Sequence, residues 1–216
     1  EQIRSGPLIN IDESPLQVLN EAGRSNTSKS YMWVQRGGPP DGRAILFDYD
    51  PSRSGKVPER LLADYRGWLQ TDGYDGYLAV GSSPGVEHLG CWAHARRKFV
   101  KAATAAGGKK KSKASQAVKL IGKLYAIEKS IRDDSPKRRH GVRQDEVPPI
   151  LTEIREWMSY VSPWVLPSSA TGKALAYLHG QWPRLIRYIE DVRLEIDNNL
   201  AENAIRPFVV GRKNWL

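Results

Sequence analysis

The sequence DNNLAENAIRP, residues 197–207, reads as a polar cap followed by a short amphipathic helix. The apolar positions at helical spacing, predicted to face a core, are Leu200, Ala204 and Ile205. The polar positions on the opposite side, one turn apart, are Asn198, Glu202 and Arg206. A capping box followed by an ordinary i,i+4 salt bridge would give the same pattern. Its meaning therefore depends on the acids that come earlier in the chain.

The chain has 216 residues, enough for one large domain or for a core with an insertion. With 40% hydrophobic and 26% charged residues the composition is that of a globular protein. The formal net charge is +9 at pH 7. Such an excess suits a polyanionic partner, with nucleic acid first and an anionic membrane surface second.

Membrane insertion and export are not predicted. The sequence has neither a run of apolar residues long enough to span a bilayer nor an apolar signal segment. Cys91 is the single cysteine, so an internal disulfide is excluded. One cysteine is compatible with a reducing compartment, and we expect a cytoplasmic protein with no membrane partner.

Short apolar runs bounded by Gly, Pro and Ser predict five strands, at residues 8–12, 31–36, 43–49, 67–71 and 87–92. Helical stretches interrupt them, and the resulting order predicts an α/β fold with a mixed sheet. Residues 109–188 show helical periodicity only, which predicts an all-helical insertion. The expected organisation is a core at 1–106, a basic helical insertion at 107–189, and the rest of the core at 190–216.

Basic charge is concentrated in the predicted insertion. Between Gly107 and Arg143, twelve Lys or Arg residues face three Asp or Glu residues. A lysine run such as Lys109, Lys110 and Lys111 is often only a solvated loop. The alternative is contact with DNA phosphates, because such charges supply most non-specific affinity for DNA.

Three acids stand at informative places: Asp12 at the end of the first predicted strand, Asp72 at the end of a later one, and Glu202 on the late helix. Carboxylates brought together repel one another unless cations neutralise them. Mg²⁺ prefers oxygen ligands, and two ions about 3.5–4 Å apart can promote phosphodiester cleavage. Glu13 and Asp75 are near competitors. If the strand is regular, Asp12 and Glu13 face opposite sides.

Five blocks then occur in a fixed order: IDESP at 11–15, LQTDGY at 69–74, CWAHARRKF at 91–99, DNNLAENAIRP at 197–207 and GRKNW at 211–215. With these blocks the sequence resembles the IS66-type transposases over nearly its whole length. The resemblance implies an RNase H-like mixed sheet flanked by helices, with a helical insertion before the last catalytic helix. It also implies a DDE-type enzyme that cuts DNA at transposon ends and joins 3′-hydroxyl ends to target DNA.

In this resemblance Asp12, Asp72 and Glu202 fall on the three catalytic, metal-binding positions, and the implied cofactor is Mg²⁺ or Mn²⁺ at a two-metal site. The N-terminal zinc-binding and helix-turn-helix regions of full-length members are not visible, so we expect a fragment that lacks them. The open alternatives are a basic DNA-binding module without catalysis and an RNase H-like nuclease without strand transfer. The expected partners are transposon-end and target DNA, with the protein acting as an oligomer.

Other residues have weaker predicted roles. Cys91 and His94 form a C-x-x-H pair with no second pair at suitable spacing, so no zinc is expected here and Cys91 should be a buried strand residue. His94 and Asn198 are candidates for supporting the acids. Beside the three lysines, the predicted DNA contacts are Arg96, Arg97, Lys98, Arg206, Arg212 and Lys213, the last two presented after a strand-like run that ends at Gly211.

Overall fold

The computed structural model of the protein describes residues 1–108 and 111–215, with side chains described as far as Gly211. The chain forms two compact units. Unit 1 combines Glu1–Leu89 with the residues from Asn198 onward, and unit 2 is Gly90–Asp197. The domain ranges 1–106, 107–189 and 190–216 stay a prediction, since units defined by contacts need not coincide with inserted segments.

Unit 1 is built on a five-stranded sheet in the order β3-β2-β1-β4-β5. The strands are β1 (Leu8–Gln17), β2 (Lys29–Gly37), β3 (Ala44–Asp50), β4 (Gly67–Gln70) and β5 (Val86–Leu89). β1 pairs antiparallel with β2, and β2 with β3, whereas β1 pairs parallel with β4, and β4 with β5. The sheet is therefore mixed, as predicted.

Seven α-helices are present in the described residues: α1 (Lys56–Leu61), α2 (Leu78–Gly81), α3 (Trp92–Ala105), α4 (Lys113–Ser130), α5 (Pro136–Val161), α6 (Ala170–Leu185) and α7 (Asn199–Trp215). Short 3-10 helices lie at Gln2–Ser5, Asp75–Tyr77, Ser162–Trp164 and Ile186–Ile189. Helices α1, α2 and α7 belong to unit 1, and α3 to α6 belong to unit 2.

The first strand is longer than predicted, and Asp12 does not lie at its end. β1 continues through Pro15, which pairs with Tyr31 of β2. On its other side β1 pairs with β4 only from Leu8 to Asn10. Proline cannot donate to a sheet, so it is tolerated where the strand has lost one neighbour. Asp12 lies two residues beyond the last β1–β4 pair.

The two faces of the sheet carry different cores. On one face Ile9, Ile11 and Trp33 are fully buried in a cluster that includes side chains of α1 and α2. On the other face, Val34 is buried against Ala201 and Ile205 of α7. Alternation along β1 therefore assigns each side chain to one of two distinct environments.

Helix α7 corrects several expectations about the C-terminal stretch. It runs without a break from Asn199 to Trp215, so the strand-like run ending at Gly211 is helical. The buried positions are Ala201 and Ile205, while Leu200 and Ala204 are only half-buried. Val209 and Val210 favour strands, but the packing of α7 against Val34 contributes more than this intrinsic propensity. The predicted strand 87–92 is also shorter, because β5 ends at Leu89 and α3 begins at Trp92.

In its described residues, unit 2 contains helices joined by turns and no strand. Three of its helices begin at a serine whose hydroxyl accepts a backbone N–H three residues on: Ser112 before α4, Ser135 before α5 and Ser169 before α6. Such caps satisfy one of the free donors at a helix start and fix where it begins. Trp92 ties α3 to α6 by donating to the Leu185 carbonyl at 2.8 Å.

Candidate active site

Asp12 lies on the face of the sheet that α7 covers, and Asp72 follows the neighbouring strand β4. Asp12 pairs across the strands with Val34, which α7 buries. Asn10, two residues before Asp12, pairs with Gln70 of β4. Side chains two residues apart in a strand share a face, and Asp72 follows Gln70 by two residues. Asp12 and Asp72 therefore each come two residues after the last pair between β1 and β4.

A buried amide pair lies beneath these acids. Asn10 Nδ2 donates to Gln70 Oε1 at 2.9 Å, and both side chains are fully buried. This pair was not predicted from the sequence. The available signal was a polar residue inside an apolar strand, two positions before an acid. The hydrogen bond links β1 to β4 at the last residues that pair, directly before each strand delivers its carboxylate.

Glu202 is in the first turn of α7, and Asn198 fixes where that turn begins. Asn198 is fully buried, and its Nδ2 donates to the carbonyl of Ile11 at 2.9 Å. Its own carbonyl accepts from the Glu202 N–H at 3.2 Å. The prediction that Asn198 lies on the polar side of the helix was wrong. It binds the start of α7 to the residue before Asp12 instead.

The pKa of Asp12 reflects its burial and the other carboxylates around it. Burial raises the pKa of Asp12 to about 8, and the charges of Glu13, Asp72 and Glu202 act in the same direction. The Glu13 N–H, which donates to Asp12 Oδ1 at 2.9 Å, acts in the opposite direction. Carboxylates from three separate elements thus act on Asp12, and cations stabilise such an arrangement.

Glu13, the near competitor of Asp12, faces the other side of the sheet. It pairs with Trp33, and its carboxylate accepts hydrogen bonds from Tyr77 and from Arg53 Nε, the latter at 2.7 Å. Burial raises the pKa of Glu13, against the lowering effect of both partners. Alternation along β1 places Glu13 on the other face of the sheet, where its oxygens already accept hydrogen bonds. This favours Asp12 as the acid on the α7 face.

Asp75, the competitor of Asp72, is exposed and begins a 3-10 helix. Asp72 is half-buried, and its Oδ1 accepts from the Tyr74 N–H at 2.8 Å. That hydrogen bond holds the Asp72 carboxylate within its own turn. The charge of Asp72, and not that of Asp75, is among those that raise the pKa of Asp12.

A divalent cation is compatible with this donor set. Asp12, Asp72 and Glu202 supply only carboxylate oxygens, which suit Mg²⁺ and Mn²⁺. Among the described residues these three do not form a group whose ligand atoms all lie within 4.8 Å of one another. Asp12, Asp72 and Glu202 are the residues that would hold such ions, and their carboxylates would have to move closer to bind a single shared one.

The remaining predicted site residues have more varied positions. In unit 2, His94 Nδ1 contacts the buried Cys91 Sγ at 3.3 Å, and His94 Nε2 contacts Arg97 at 3.2 Å. Cys91 is buried as predicted, but it precedes α3 and is not part of a strand. The cations with exposed side chains are Arg96, Arg97, Lys98, Lys111 and Arg206. Lys109 and Lys110, and the side chains of Arg212 and Lys213, lie outside the described residues.

The strand order and mixed pairing of unit 1 are compatible with an RNase H-like α/β protein, with Asp12 on the face covered by the last helix. Over the described residues, no helix is both long enough and apolar enough to cross a membrane.

Comparison with known proteins identifies the family. The family model described as Transposase IS66 family matches residues 1–216, and the chain belongs to this family. A protein of Sinorhizobium fredii (strain NBRC 101917 / NGR234) titled "Uncharacterized protein y4jD" is 30% identical over 98% of this chain and 43% of its own length. A second from the same strain, "Uncharacterized protein y4qI", is 29% identical over 100% of this chain and 42% of its own. The chain thus spans less than half the length of these relatives. No solved structure matches it.

Membership of this family agrees with the resemblance that the five sequence blocks indicated.

Proposed function

We propose that this chain carries the divalent-metal-dependent catalytic centre of a DDE-type transposase. In this proposal Asp12, Asp72 and Glu202 are the catalytic and metal-binding residues, with Mg²⁺ or Mn²⁺ as cofactor at a two-metal site. The reaction is cleavage of phosphodiesters at transposon ends, followed by joining of the 3′-hydroxyl ends to target DNA. The activity of the longer protein, its action as an oligomer and its choice of DNA ends belong to the same proposal.

One observation carries the proposal. Asp12 is half-buried, and burial raises its pKa to about 8, with the charges of Glu13, Asp72 and Glu202 adding to that rise. A protein gains no stability from acids crowded in this way, so a strongly shifted carboxyl beside other carboxylates is a functional-site candidate. Family membership supplies the class of reaction, and the acids supply the chemistry that such a reaction needs.

Each acid is held by the chain in a way that suits a ligand. The Glu13 N–H donates to Asp12, the Tyr74 N–H donates to Asp72, and Asn198 fixes the turn that carries Glu202. Backbone donors orient a carboxylate while leaving its other lone pairs available. When bound, a divalent ion would lower the pKa of a water or hydroxyl and stabilise the leaving oxygen.

The proposed DNA contacts are the exposed cations of α3, with Lys111 and Arg206. Lys109, Lys110, Arg212 and Lys213 are included on the strength of their charge and sequence position alone. His94 and Asn198 are proposed as supporting residues. The rationale is electrostatic, since a chain with a formal charge of +9 is attracted to the phosphate backbone.

The test compares Mn²⁺ binding and DNA cleavage for Asp12→Asn, Asp72→Asn and Glu202→Gln. Calorimetry measures the affinity for Mn²⁺, and nicking of supercoiled plasmid measures cleavage. We expect each variant to lose most of both, because each removes one anionic ligand. Asp75→Asn is the matched control, since it neutralises an exposed acid three residues from Asp72 and should behave as wild type.

Two outcomes would replace the proposal. If all three variants bind Mn²⁺ as tightly as wild type, the acids are structural and the chain is a non-catalytic DNA-binding module. If plasmid is nicked but a labelled 3′-hydroxyl end is never joined to a second DNA, the chain is an RNase H-like nuclease without strand transfer.

A further inference from the structure

Arg53, in the segment between β3 and α1, contacts the sheet beside the proposed acids. Its Nε donates to Glu13 Oε1 at 2.7 Å, and a second guanidinium nitrogen contacts the same oxygen. The Glu13 side chain is 1% exposed, whereas that of Arg53 is 43% exposed. Tyr77 donates its hydroxyl to the other oxygen of Glu13. Arg53 therefore reaches from solvent to a buried carboxylate one residue from Asp12.

The same guanidinium also contacts the turn that carries Asp72. Its central carbon lies 3.9 Å from the ring centroid of Tyr74, and the Tyr74 hydroxyl donates back to the Arg53 carbonyl. The Tyr74 N–H is the group that donates to Asp72 at 2.8 Å. A stacked guanidinium is held both by ring contact and by electrostatic attraction. One side chain thus joins Glu13 on β1 to the turn of Asp72.

The segment after Arg53 and the turn after Tyr74 pack closely against each other. A Cβ on Gly55 would lie 2.9 Å from the Gly76 carbonyl oxygen, so the segment after Arg53 packs directly on the turn after Tyr74. Tyr74 and Tyr77 pack edge to face, with ring centroids 5.8 Å apart. A shift of Arg53 would therefore be transmitted to Tyr74 and to the hydrogen bond that orients Asp72.

We propose that Arg53 is a positioning residue that sets the placement of Asp72 relative to Asp12. It does so by binding Glu13 and stacking on Tyr74 at the same time. This inference rests on the proposed function for its metal readout, but its structural readout is independent of any metal. Arg53 is not proposed to touch DNA or a metal. Its effect reaches the site through the Tyr74 turn.

The experiment uses Arg53→Met, Arg53→Lys and Tyr74→Leu in the full chain. Hydrogen exchange of the Tyr74 amide reports the bond to Asp72, and calorimetry with Mn²⁺ reports the site. We expect faster Tyr74 exchange and about tenfold or greater loss of Mn²⁺ affinity for Arg53→Met, the range seen when support of a metal ligand is removed. Arg53→Lys should recover only part, because lysine keeps the charge but not the planar stack.

Arg60→Met is the matched control, since Arg60 also bridges acids of the sheet, Asp48 and Asp50, at 3.1 and 3.0 Å. It should change neither readout. The double variant Glu13→Gln with Arg53→Met lacks the buried Glu13 charge. A loss of Mn²⁺ affinity in this variant therefore cannot come from unfolding caused by an unpaired Glu13. If Arg53 only neutralises Glu13, the double variant will bind Mn²⁺ as Glu13→Gln alone does. That result would overturn the inference, and a lower affinity in the double variant supports it.

Failure of the inference and failure of the proposed function give different results. If wild type binds Mn²⁺ and Arg53→Met changes neither the Tyr74 amide nor the affinity, the inference is wrong and the metal site stands. If wild type binds no Mn²⁺ but Arg53→Met still speeds Tyr74 exchange, the positioning contact is real and the metal site is wrong. Tyr74→Leu separates the stack from the charge, and wild-type behaviour there also contradicts the inference.

Discussion

The two units bury charge in opposite ways. In unit 2, Arg143 is fully buried and fully paired: its Nε and a terminal nitrogen bind both oxygens of Glu128 at 2.9 and 2.7 Å. Its remaining terminal nitrogen donates to the carbonyls of Tyr188 and Asp191. In unit 1, Asp12 is surrounded by charges of its own sign, and its pKa is raised to about 8. A compensated buried charge maintains a fold, whereas a crowded one indicates a site that needs a further component.

The sharpest test of this contrast is Asp12→Asn. We expect a loss of metal-dependent cleavage of about a thousandfold or more, since metal ligation supplies several kcal/mol of transition-state stabilisation. In metal-free buffer the same variant should be at least as stable as wild type, because a neutral amide avoids the cost of protonating or burying the Asp12 carboxylate. Plasmid nicking and thermal unfolding in EDTA measure the two effects. Marked destabilisation in EDTA would show that Asp12 is a structural acid.

Removing Arg143 should have the reverse effect. Arg143→Met leaves Glu128 buried without its partner, and we expect a loss of about 3–5 kcal/mol in the free energy of unfolding. Arg138→Met is the control, because Arg138 is exposed and its ion pair with Asp134 is of the surface type, worth about 0–1 kcal/mol. Urea unfolding measures both. If Arg143→Met unfolds like Arg138→Met, the buried pair does not stabilise unit 2.

Sequence patterns predicted the parts of unit 1 that depend on local chemistry. All five strands were located, because short apolar runs between Gly and Pro define them. The face of Asp12 relative to Glu13 followed from simple alternation. The predicted end of β1 was wrong. No local sequence feature shows that pairing with β2 continues past Pro15 after pairing with β4 has stopped.

The supporting residues of the site could not be predicted for the same reason. Asn198 was expected on the polar side of the helix as a candidate for supporting the acids, but its partner could not be predicted: it binds the Ile11 carbonyl, 187 residues away in the chain. Arg53 has no sequence signal that connects it with Glu13 or Tyr74. Long-range polar contacts depend on how the elements pack in the folded protein, and the pattern of a single sequence does not show that packing.

The pH dependence of stability is a smaller effect that also distinguishes the crowded Asp12 from the paired Arg143. Asp12 has a folded pKa of about 8, above its ordinary value of 3.8, so the folded state keeps a proton that the unfolded state releases. Its contribution to stability is therefore complete below about pH 4 and is lost as the pH rises towards 8. The pKa values of Glu13 and Glu195 are also raised, and they act in the same direction.

In EDTA, the unfolding free energy should therefore fall between pH 5 and pH 8, with a slope from Asp12 of at most about 1.4 kcal/mol per pH unit. Asp12→Asn should flatten the fall, whereas Arg138→Met should leave it unchanged. Urea unfolding at several pH values gives the slope. A wild-type stability that rises over this range would show that Asp12 is ionised in the folded protein without cost.

The smallest expected effect concerns the basic residues of unit 2. Replacing Lys109, Lys110 and Lys111 by Gln should reduce the slope of log affinity against log salt by about 0.9 for each duplex phosphate that the variant no longer neutralises. The matched control replaces three exposed cations of unit 1: Lys29, Arg43 and Arg66. Both triple variants carry the same reduction in net charge, so a general charge effect would lower the two slopes equally. Only a fall in the salt slope that is confined to the unit 2 variant would assign phosphate binding to the lysine run. The buried Arg143 of the same unit is already paired with Glu128.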